Sequence, residues 1–408
     1  MIKFAFKKTS QVPLNFFKKR KVITEYLKKL KEILKNKDFS LPESFLILPD
    51  QKKKLPTIEN LKLIILIGIG GSSLGTKAVY FALKNKKRLT KILFLDALNP
   101  LFLKKVERQL KTTSPKKTLI FLISKSGKTI EVLANFFAIF KLTKNLSLPI
   151  FILTEKNSPL WEFGKKRKIF TIEIPKTIPG RYSVFSDVGI FPLSLAKVNV
   201  KKFLFGAKKA NEICLKDDPL ENPALSFALT IYYHWQQKRR IYVNLVFPPD
   251  LEFLGKWYLQ LMGESLGKKG RGITPIVNIG SNDFHSLGQL YFEGPKDKLV
   301  NFIFVENLGI DKRVFPKKDL EFLINGGKKI WQINRAIFEG VKKAYIKKKI
   351  PFTEILLPKL NEENIGFLME MKMIEIIFLA KLIKINAFDQ PGVELYKKEA
   401  RKILNEKN

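Results

Sequence analysis

The sequence KLIILIGIGGSSLG, residues 62–75, joins a run of apolar residues to a glycine-rich turn. The run is typical of a buried strand, and the segment that follows is compatible with a helix. Glycines at such a turn let backbone N–H groups approach an anion, which the N-terminus of the helix also attracts. Gly68 and Gly70 would fit a dinucleotide-binding fingerprint with Asp96 on the ribose, but Ser73 stands at its third glycine position. The loop alone therefore leaves a phosphosugar site, a nucleotide site and a purely structural turn as alternatives.

Short apolar runs alternate with helix-compatible segments over two stretches of the chain. The first series, from residue 62 to about residue 174, consists of KLIILI, KILFLDA, KTLIFLIS, PIFILTE and KIFTIEI. The second series begins at Ile241 and consists of IYVNLVF, TPIVNIG, LVNFIFVE and IPFTEILLP. Nearly continuous Ile, Leu, Phe and Val indicate strands that helices cover on both faces. The sequence therefore predicts an α/β protein with two doubly wound parallel sheets.

The two series predict two domains of similar construction, since 408 residues exceed the ~100–200 residues of a usual domain. We expect the first domain over 55–195 and the second over 196–408, joined across about 179–210. Helical spacing of apolar residues within 1–54 predicts a segment that packs on the second domain. Later helices are predicted at 317–348, at 363–384 and, exposed, in the charged tail.

Composition restricts the possible chemistry. With Cys214 as its one cysteine, the chain cannot form an intrachain disulfide or a cysteine-based zinc site. His234 and His285 are the two histidines, so a multi-histidine metal centre is not expected. No apolar run reaches the ~20 residues that cross a bilayer, and the N-terminus lacks a signal-peptide pattern. We therefore expect a cytoplasmic protein.

The formal net charge of the chain is +38 at pH 7. Such a field attracts nucleic acid, anionic membranes or phosphorylated metabolites. The lysines are scattered through the whole chain, however, and Lys, Ile, Phe and Asn are abundant together while Arg and Ala are sparse. This pattern is typical of a genome-wide compositional bias. Charge therefore gives little support to a nucleic-acid or membrane partner.

The segment SKSGKTIE, residues 124–131, follows the third predicted strand. It contains GKT, but a P-loop needs a glycine five residues before Gly127, and Leu122 stands there. A nucleoside triphosphate is therefore disfavoured. The loop instead offers hydroxyl, backbone and ammonium donors suited to one phosphate monoester, on Ser124, Lys125, Ser126 and Thr129. Helix capping would account for one of these hydroxyls but not for all of them.

Two later segments carry candidate catalytic side chains. PGRYSVFSDVG, residues 179–189, presents Arg181 in a turn, where a guanidinium can meet an oxyanion with paired N–H donors. KWYLQLMGESLGKKGRG, residues 256–272, places Gln260 and Glu264 one helical turn apart, so both side chains can face one site. An ordinary surface arginine and a solvated glutamate are the alternatives.

Two further segments contain polar residues without a clear role of their own. GSNDFHSLGQLYFEGP, from residue 280, holds His285, and NAFDQPGVELYKKEA, from residue 386, holds Gln390 and Lys397. The last two are seven residues apart, a spacing that predicts one shared helical face. For either segment alone, a structural role is the more common reading.

Together these segments resemble the glucose-6-phosphate isomerase (phosphoglucose isomerase) family, in the family's order and over most of the chain. The blocks that carry the resemblance are IGIGGSSLG, SKSGKTIE, GRYSVFS, GESLGK, the His285 segment and FDQPGVELYKK. The resemblance implies two sugar-isomerase-type (SIS-type) α/β domains and a homodimer with shared active sites. It implies reversible isomerisation of glucose 6-phosphate to fructose 6-phosphate through a cis-enediol, with no cofactor and no metal.

The same resemblance implies a role for each candidate residue. Glu264 would be the base that moves a proton between the second and first carbons. Arg181 would stabilise the enediolate. His285 of the neighbouring subunit would open the sugar ring together with Lys397. The other implied contacts are Ser72, Ser124, Lys125, Ser126 and Thr129 at the phosphate, and Gly71, Gln260 and Gln390 at the sugar.

Two positions depart from the family pattern. Pro179 stands where many members have glycine, and Lys128 stands where a small hydroxyl residue is frequent. Both could alter phosphate binding or loop closure. A bifunctional phosphoglucose/phosphomannose isomerase and a non-catalytic sugar-phosphate sensor are the alternative functions. A sensor would need the phosphate loop, but not Glu264, Arg181 and His285 together.

Overall fold

The computed structural model of the chain describes residues 2–18, 21–51, 57–85, 89–315 and 327–406. Its strands form two five-stranded sheets, each flanked by helices. The predicted α/β architecture with parallel sheets is confirmed, and each of the nine predicted apolar runs contains a strand.

The first sheet is built from the first series of runs. Its strands are β2 (Leu63–Ile67), β3 (Lys91–Leu95), β4 (Thr118–Ile123), β5 (Ile150–Thr154) and β6 (Phe170–Glu173). They are parallel, in the order β3-β2-β4-β5-β6. Along β2, Ile64 and Leu66 enter one apolar core while Ile65 and Ile67 enter another on the opposite face. Burial on both faces explains why the strand is continuously apolar.

The second sheet contains the second series and one strand that the sequence did not predict. Its strands are β1 (Lys3–Ala5), β7 (Ile241–Phe247), β8 (Thr274–Ile279), β9 (Lys298–Asn307) and β10 (Phe352–Lys359). The order is β1-β10-β9-β7-β8, and β1 alone runs antiparallel, with Phe4 opposite Ile355. The N-terminal segment thus begins with a strand, and its helical part consists of α1 (Lys21–Asn36) and the 3-10 turns Leu14–Lys18 and Pro42–Asp50.

The remaining helices pack on the two sheets and between them. They are α2 (Leu74–Leu83), α3 (Pro100–Thr112), α4 (Ile130–Asn145), α5 (Pro159–Lys166), α6 (Asp187–Leu195), α7 (Val200–Cys214), α8 (Pro223–Gln236), α9 (Glu252–Leu266), α10 (Phe284–Glu293), α11 (Ile330–Lys347), α12 (Glu362–Leu382) and α13 (Glu394–Asn405). The helix predicted at 363–384 is confirmed as α12, and the exposed tail helix as α13. Of the prediction at 317–348, α11 confirms the later part, and residues up to 326 lie outside the described ones.

Helices α7 and α12 cross in direct backbone contact. A Cβ atom at Gly206 of α7 would lie 1.9 Å from the carbonyl oxygen of Glu363. One at Gly366 of α12 would lie 2.0 Å from the carbonyl oxygen of Phe203. Any side chain at either glycine would push the helices apart, so the crossing depends on both.

One apolar core is shared by the two sheets. Ile64 of β2 and Ile355 of β10 both belong to it, and α12 is buried within it along most of its length. Because the core has no break between the sheets, the predicted bounds 55–195 and 196–408 stay a prediction. In the part of the chain that the structure describes, no helix has both the length and the apolar character needed to span a membrane.

Charged residues of α12 are buried as a compensated group. The ammonium of Lys372 lies 2.6 Å from a carboxylate oxygen of Glu375 and 4.9 Å from the centre of the Tyr258 ring. Tyr258 also donates its hydroxyl to Glu375. Burial raises the pKa of the Glu370 carboxyl well above its usual value, which favours the neutral acid. Pairing and neutralisation together explain how a helix with these residues lies in the core.

His234, near the end of α8, joins the N-terminal segment to this helix by a hydrogen bond. Its Nε2–H donates to the carbonyl oxygen of Ser10 at 2.8 Å, and its Nδ1 accepts from Arg239 at 3.0 Å. A carbonyl only accepts and a guanidinium only donates, so the imidazole is neutral. Burial is the main cause that lowers the pKa of His234 from 6.5 to about 4.

This arrangement predicts a pH dependence of stability. In the unfolded chain His234 takes up its proton near pH 6.5, but in the folded chain only near pH 4. The stability that this group contributes is therefore complete above the unfolded pKa, and it is lost as the pH falls from the unfolded pKa toward the folded one. Replacing His234 by Gln keeps a donor and an acceptor but removes the titration. Denaturant unfolding should show the wild type losing about 2 kcal/mol more than H234Q between about pH 8 and about pH 5. Equal losses in the two proteins would contradict this account.

Candidate active site

The glycine-rich turn after β2 brings three parts of the chain into close contact. Gly70 has a left-handed φ of +56°, and a Cβ there would lie 2.9 Å from the side-chain nitrogen of Gln260. A Cβ at Gly71 would lie 2.3 Å from the carbonyl carbon of Gly180. The turn therefore rests directly on α9 and on the short helical turn Gly180–Tyr182, which carries Arg181.

The carboxylate of Glu264 is held by two neighbouring donors. Its Oε2 lies 3.2 Å from Nη1 of Arg181, and its Oε1 accepts from the amide of Gln260 at 3.0 Å. Gln390 accepts a second N–H from Nη1 of the same guanidinium. The Arg181 side chain is fully buried, while that of Glu264 is 29% exposed. The structure thus joins four of the predicted residues, Arg181, Gln260, Glu264 and Gln390, in one hydrogen-bonded group.

The other donors of Arg181 bind the scaffold around this group. Nε donates to the hydroxyl of Ser265 at 2.9 Å, and Nη2 donates to the carbonyl oxygens of Ala387 at 2.7 Å and Asp389 at 3.1 Å. Ser265 also bonds the hydroxyl of Tyr182 at 3.0 Å, and burial raises the pKa of Tyr182 to about 12. All five N–H donors of the guanidinium are therefore engaged.

Lys268 holds the loop that carries Gln390. Its ammonium donates to the carbonyl oxygens of Asn386 at 2.5 Å and Asp389 at 2.7 Å, and to the Asp389 carboxylate at 2.6 Å. Burial is the largest cause that lowers the pKa of Lys268 below its usual value. Two cations, Arg181 and Lys268, therefore fix this loop against the end of α9.

The hydroxyl-rich loop after β4 lies beside the glycine-rich turn, because β2 and β4 are adjacent parallel strands. The hydroxyls of Ser124 and Thr129 are 3.0 Å apart, and that of Ser126 accepts from the backbone N–H of Lys128 at 3.3 Å. Thr129 precedes the first residue of α4 but makes no capping bond with its side chain. Capping of α4 is thus not the role of the Thr129 hydroxyl. Ser72, the remaining hydroxyl of the predicted phosphate set, ends the glycine-rich turn.

The structure does not favour the alternative of a nucleotide site with Asp96 as the ribose ligand. The carboxylate of Asp96 lies 2.7 Å from the ammonium of Lys77, which also sits over the ring of Phe253 at 4.6 Å. Asp96 is therefore already paired. Among the described residues, no three His, Cys, Asp or Glu side chains are grouped so as to hold a metal ion.

His285 and Lys397 are not brought to this group within the protomer. His285 is exposed in the first turn of α10, and Lys397 is half-buried on α13, where it pairs with Glu394 at 2.8 Å. The expectation that Gln390 and Lys397 share a helical face is wrong. Gln390 has φ −158° and precedes the helix, so the seven-residue spacing does not apply.

Sequence reasoning missed the residues that support Arg181. Ser265 and Lys268 both lie in the GESLGK block, directly after Glu264, and this adjacency was the available signal. The carbonyl oxygens of Ala387 and Asp389 gave no such signal in the sequence, since every residue type has a backbone carbonyl.

A groove of about 1250 Å³ beside β1 and the starts of α8 and α12 contains none of the predicted site residues.

The chain is similar in sequence to known proteins over the segments that form this site. The sequence model of the family described as "Phosphoglucose isomerase" matches residues 51–308 and 322–408. The chain is 34% identical to a probable glucose-6-phosphate isomerase of Methanococcus maripaludis, over 92% of this chain and 87% of that protein. It is also 34% identical to a glucose-6-phosphate isomerase of Methanocaldococcus jannaschii, over 88% and 87% of the two chains.

Solved structures resemble the fold over nearly its whole length. A hypothetical protein from Thermus thermophilus has a TM-score of 0.89 at 31% identity and covers 99% of this chain and 100% of that one. A glucose-6-phosphate isomerase from Chlamydia trachomatis has a TM-score of 0.72 at 22% identity and covers 93% of this chain and 73% of that one.

The contact between Gly71 and Gly180 predicts a steric requirement. Gly71→Ala should force the glycine-rich turn away from the Arg181 turn and lower the free energy of unfolding by about 1–3 kcal/mol. The binding of inorganic phosphate, measured by calorimetry, should weaken as well. Gly340→Ala is the matched control, because a Cβ there meets nothing within 4 Å. A G71A protein as stable as the wild type, with wild-type phosphate affinity, would refute the requirement.

Proposed function

The chain belongs to the phosphoglucose isomerase family, and from this membership we propose that it is an enzyme that interconverts glucose 6-phosphate and fructose 6-phosphate. The observation that carries the proposal is the hydrogen-bonded group of Glu264, Arg181 and Gln260. An aldose–ketose isomerase must move one proton between adjacent carbons, and this group contains one carboxylate and one fixed cation.

Glu264 is the proposed base. It takes the proton from the second carbon of the open-chain sugar and returns it to the first, through a cis-enediol. The bonds from Arg181 and Gln260 fix the direction of its two oxygens before substrate arrives. A base that is already oriented loses little conformational freedom in the reaction.

Arg181 is the proposed stabiliser of the enediolate. Its Nε and Nη2 donors bind Ser265, Ala387 and Asp389, which are parts of the scaffold. Its two Nη1 donors bind Glu264 and Gln390 instead, and both of these are proposed to touch the sugar. These two N–H donors can therefore bind a developing oxyanion that displaces Glu264 or Gln390, while the guanidinium itself stays in place. Buried in this way, the positive charge acts in a low-dielectric site, where it is most effective.

The phosphate is proposed to lie between the two loops that follow β2 and β4. Ser72 in the first loop, and Ser124, Ser126 and Thr129 in the second, supply hydroxyls there. The N-terminus of α4 follows directly, and its unpaired N–H groups and dipole favour a dianion. Gly71, Gln260 and Gln390 would then line the sugar.

Ring opening and assembly are proposed together. His285 is exposed on α10, so it is free to reach an active site of the partner subunit, where it would protonate the ring oxygen with the help of Lys397. Helix α13, which carries Lys397, has no buried residue, and four of its apolar side chains are exposed: Leu395, Tyr396, Ile403 and Leu404. A homodimer interface would cover such a surface.

The alternatives have less support. Relatives over most of the chain are named glucose-6-phosphate isomerase, which does not favour a phosphomannose activity or a non-catalytic sensor. The cytoplasmic location is a proposal, supported by the unpaired, buried thiol of Cys214, which suits a reducing compartment.

Replacing Glu264 by Gln tests the base. The amide keeps the size and can still bond Arg181 but cannot take a proton, so turnover should fall ~100- to 10,000-fold. Solvent-deuterium incorporation at the second carbon measures the step directly. Glu252→Gln is the control on the same helix, since among the described residues Glu252 pairs with Lys256 and with no group of the proposed site. Near-normal exchange in E264Q would remove Glu264 from the mechanism.

Subunit mixing tests the shared site. His285→Ala should impair the cyclic sugar more than an open-chain analogue, because only the ring needs a proton at its oxygen. When inactive H285A and E264Q subunits exchange, half of the dimers carry one lesion on each subunit. If His285 acts across the interface, one of their two sites is intact, so about a quarter of wild-type activity should return. No recovery after verified exchange, or a fully active monomer in sedimentation, would defeat the shared site.

A further inference from the structure

The ammonium of Lys125 is bound to the protein itself. It donates to the carbonyl oxygens of Lys176 at 2.7 Å and Ile178 at 2.9 Å, and the carboxylate of Glu155 lies 3.7 Å away. An ammonium has three N–H donors. The two carbonyls take two of them, and Glu155 is an ion-pair partner beyond hydrogen-bond distance. The neighbouring Lys128, by contrast, is exposed in the same loop.

The segment that Lys125 binds leads directly to Arg181. Residues 175–178 connect β6 to the Arg181 turn, and among the described residues they contribute no backbone–backbone hydrogen bond outside regular elements. Ile178 is nevertheless buried, so its carbonyl oxygen needs a donor. Lys125 supplies that donor.

The backbone of Lys125 is fixed as firmly as its side chain. Its carbonyl oxygen accepts from the N–H of Glu155 at 3.0 Å and from the hydroxyl of Thr154 at 3.3 Å. Burial is the largest cause that lowers the pKa of Lys125 below its usual value, and Glu155 opposes it. The lysine is thus a rigid link from the end of β5 to the Arg181 segment.

We propose that Lys125 is a positioning residue whose ammonium holds the segment 176–178, and through it Arg181, while the substrate phosphate is bound by the hydroxyls and backbone of the loop. This assignment rests on the proposed function and replaces the ammonium contact to phosphate that the family resemblance implied. A swing of Lys125 toward phosphate would leave the buried carbonyl of Ile178 without a donor.

Two matched variants separate the roles. Lys125→Met keeps the aliphatic stem and removes the ammonium, and Lys128→Met removes the same charge from the same loop. Without its link, the Arg181 turn should shift, and kcat should fall ~10- to 100-fold in K125M, as expected for misplaced catalytic groups. The affinity for inorganic phosphate, measured by calorimetry, should stay within ~3-fold of that of K128M, since both variants lose the same long-range charge.

The outcomes that overturn the proposal are distinct. A phosphate affinity at least ~10-fold weaker than in K128M makes Lys125 a phosphate ligand, whatever happens to kcat. Wild-type kcat and wild-type phosphate affinity in K125M remove both roles. If the wild type shows no isomerase activity, the proposed function fails, but the phosphate affinities still decide whether Lys125 binds phosphate.

A measurement on the unmodified enzyme covers the case in which K125M does not fold. Limited acetylation of lysine amines, read by mass spectrometry, should leave Lys125 unmodified both with and without saturating inorganic phosphate, while Lys128 reacts. A Lys125 that reacts in the free enzyme and becomes protected by phosphate would overturn the proposal.

Discussion

A buried guanidinium must have every N–H donor satisfied, and the Arg181 side chain is completely buried. Its five partners come from the ends of two segments far apart in the chain, α9 and the loop at 387–390. The position of Glu264 is therefore set by the same bonds that stabilise the fold around it. Because the cation and the carboxylate compensate each other, neither needs full solvation.

Glycine serves two purposes in the turn after β2. A glycine-rich loop at a helix N-terminus is usually explained by an approaching anion. Here Gly71 meets the backbone of Gly180, and Gly70 meets Gln260, at distances that leave no room for a Cβ. The same residues also allow the proposed phosphate loop, the Arg181 turn and the Glu264 helix to touch. These contacts place the proposed phosphate site beside the proposed base.

What the sequence predicted depends on the distance over which each signal acts. The nine predicted strands were found from nearly continuous apolar runs, which burial on both faces produces in central strands such as β2 and β4. Gln260 and Glu264 were paired correctly, since a four-residue spacing on a helix acts locally. Strand β1 was missed because three residues, Lys3–Ala5, carry no pattern and pair with β10 at the other end of the chain. The bonds of Lys125 and Lys268 were missed for a related reason: their acceptors are backbone carbonyls of distant loops. His285 and Lys397 stay predictions, because the contacts expected of His285 lie across a subunit interface.

The lysines near this site are mostly bound to the protein itself, so the excess positive charge supplies few of the proposed direct contacts to substrate. Lys77 is paired with Asp96, Lys268 with Asp389, and Lys125 with carbonyls near Glu155. Each is held by an acceptor of its own protein, so the proposed phosphate contacts fall to hydroxyls and to a helix N-terminus. The net charge of +38 then acts only as a general field, which salt confines to about 8–10 Å at physiological ionic strength. A field of that range can bring an anionic sugar phosphate to the surface. It cannot tell that sugar from another anion, so selection would depend on the proposed short contacts around Glu264.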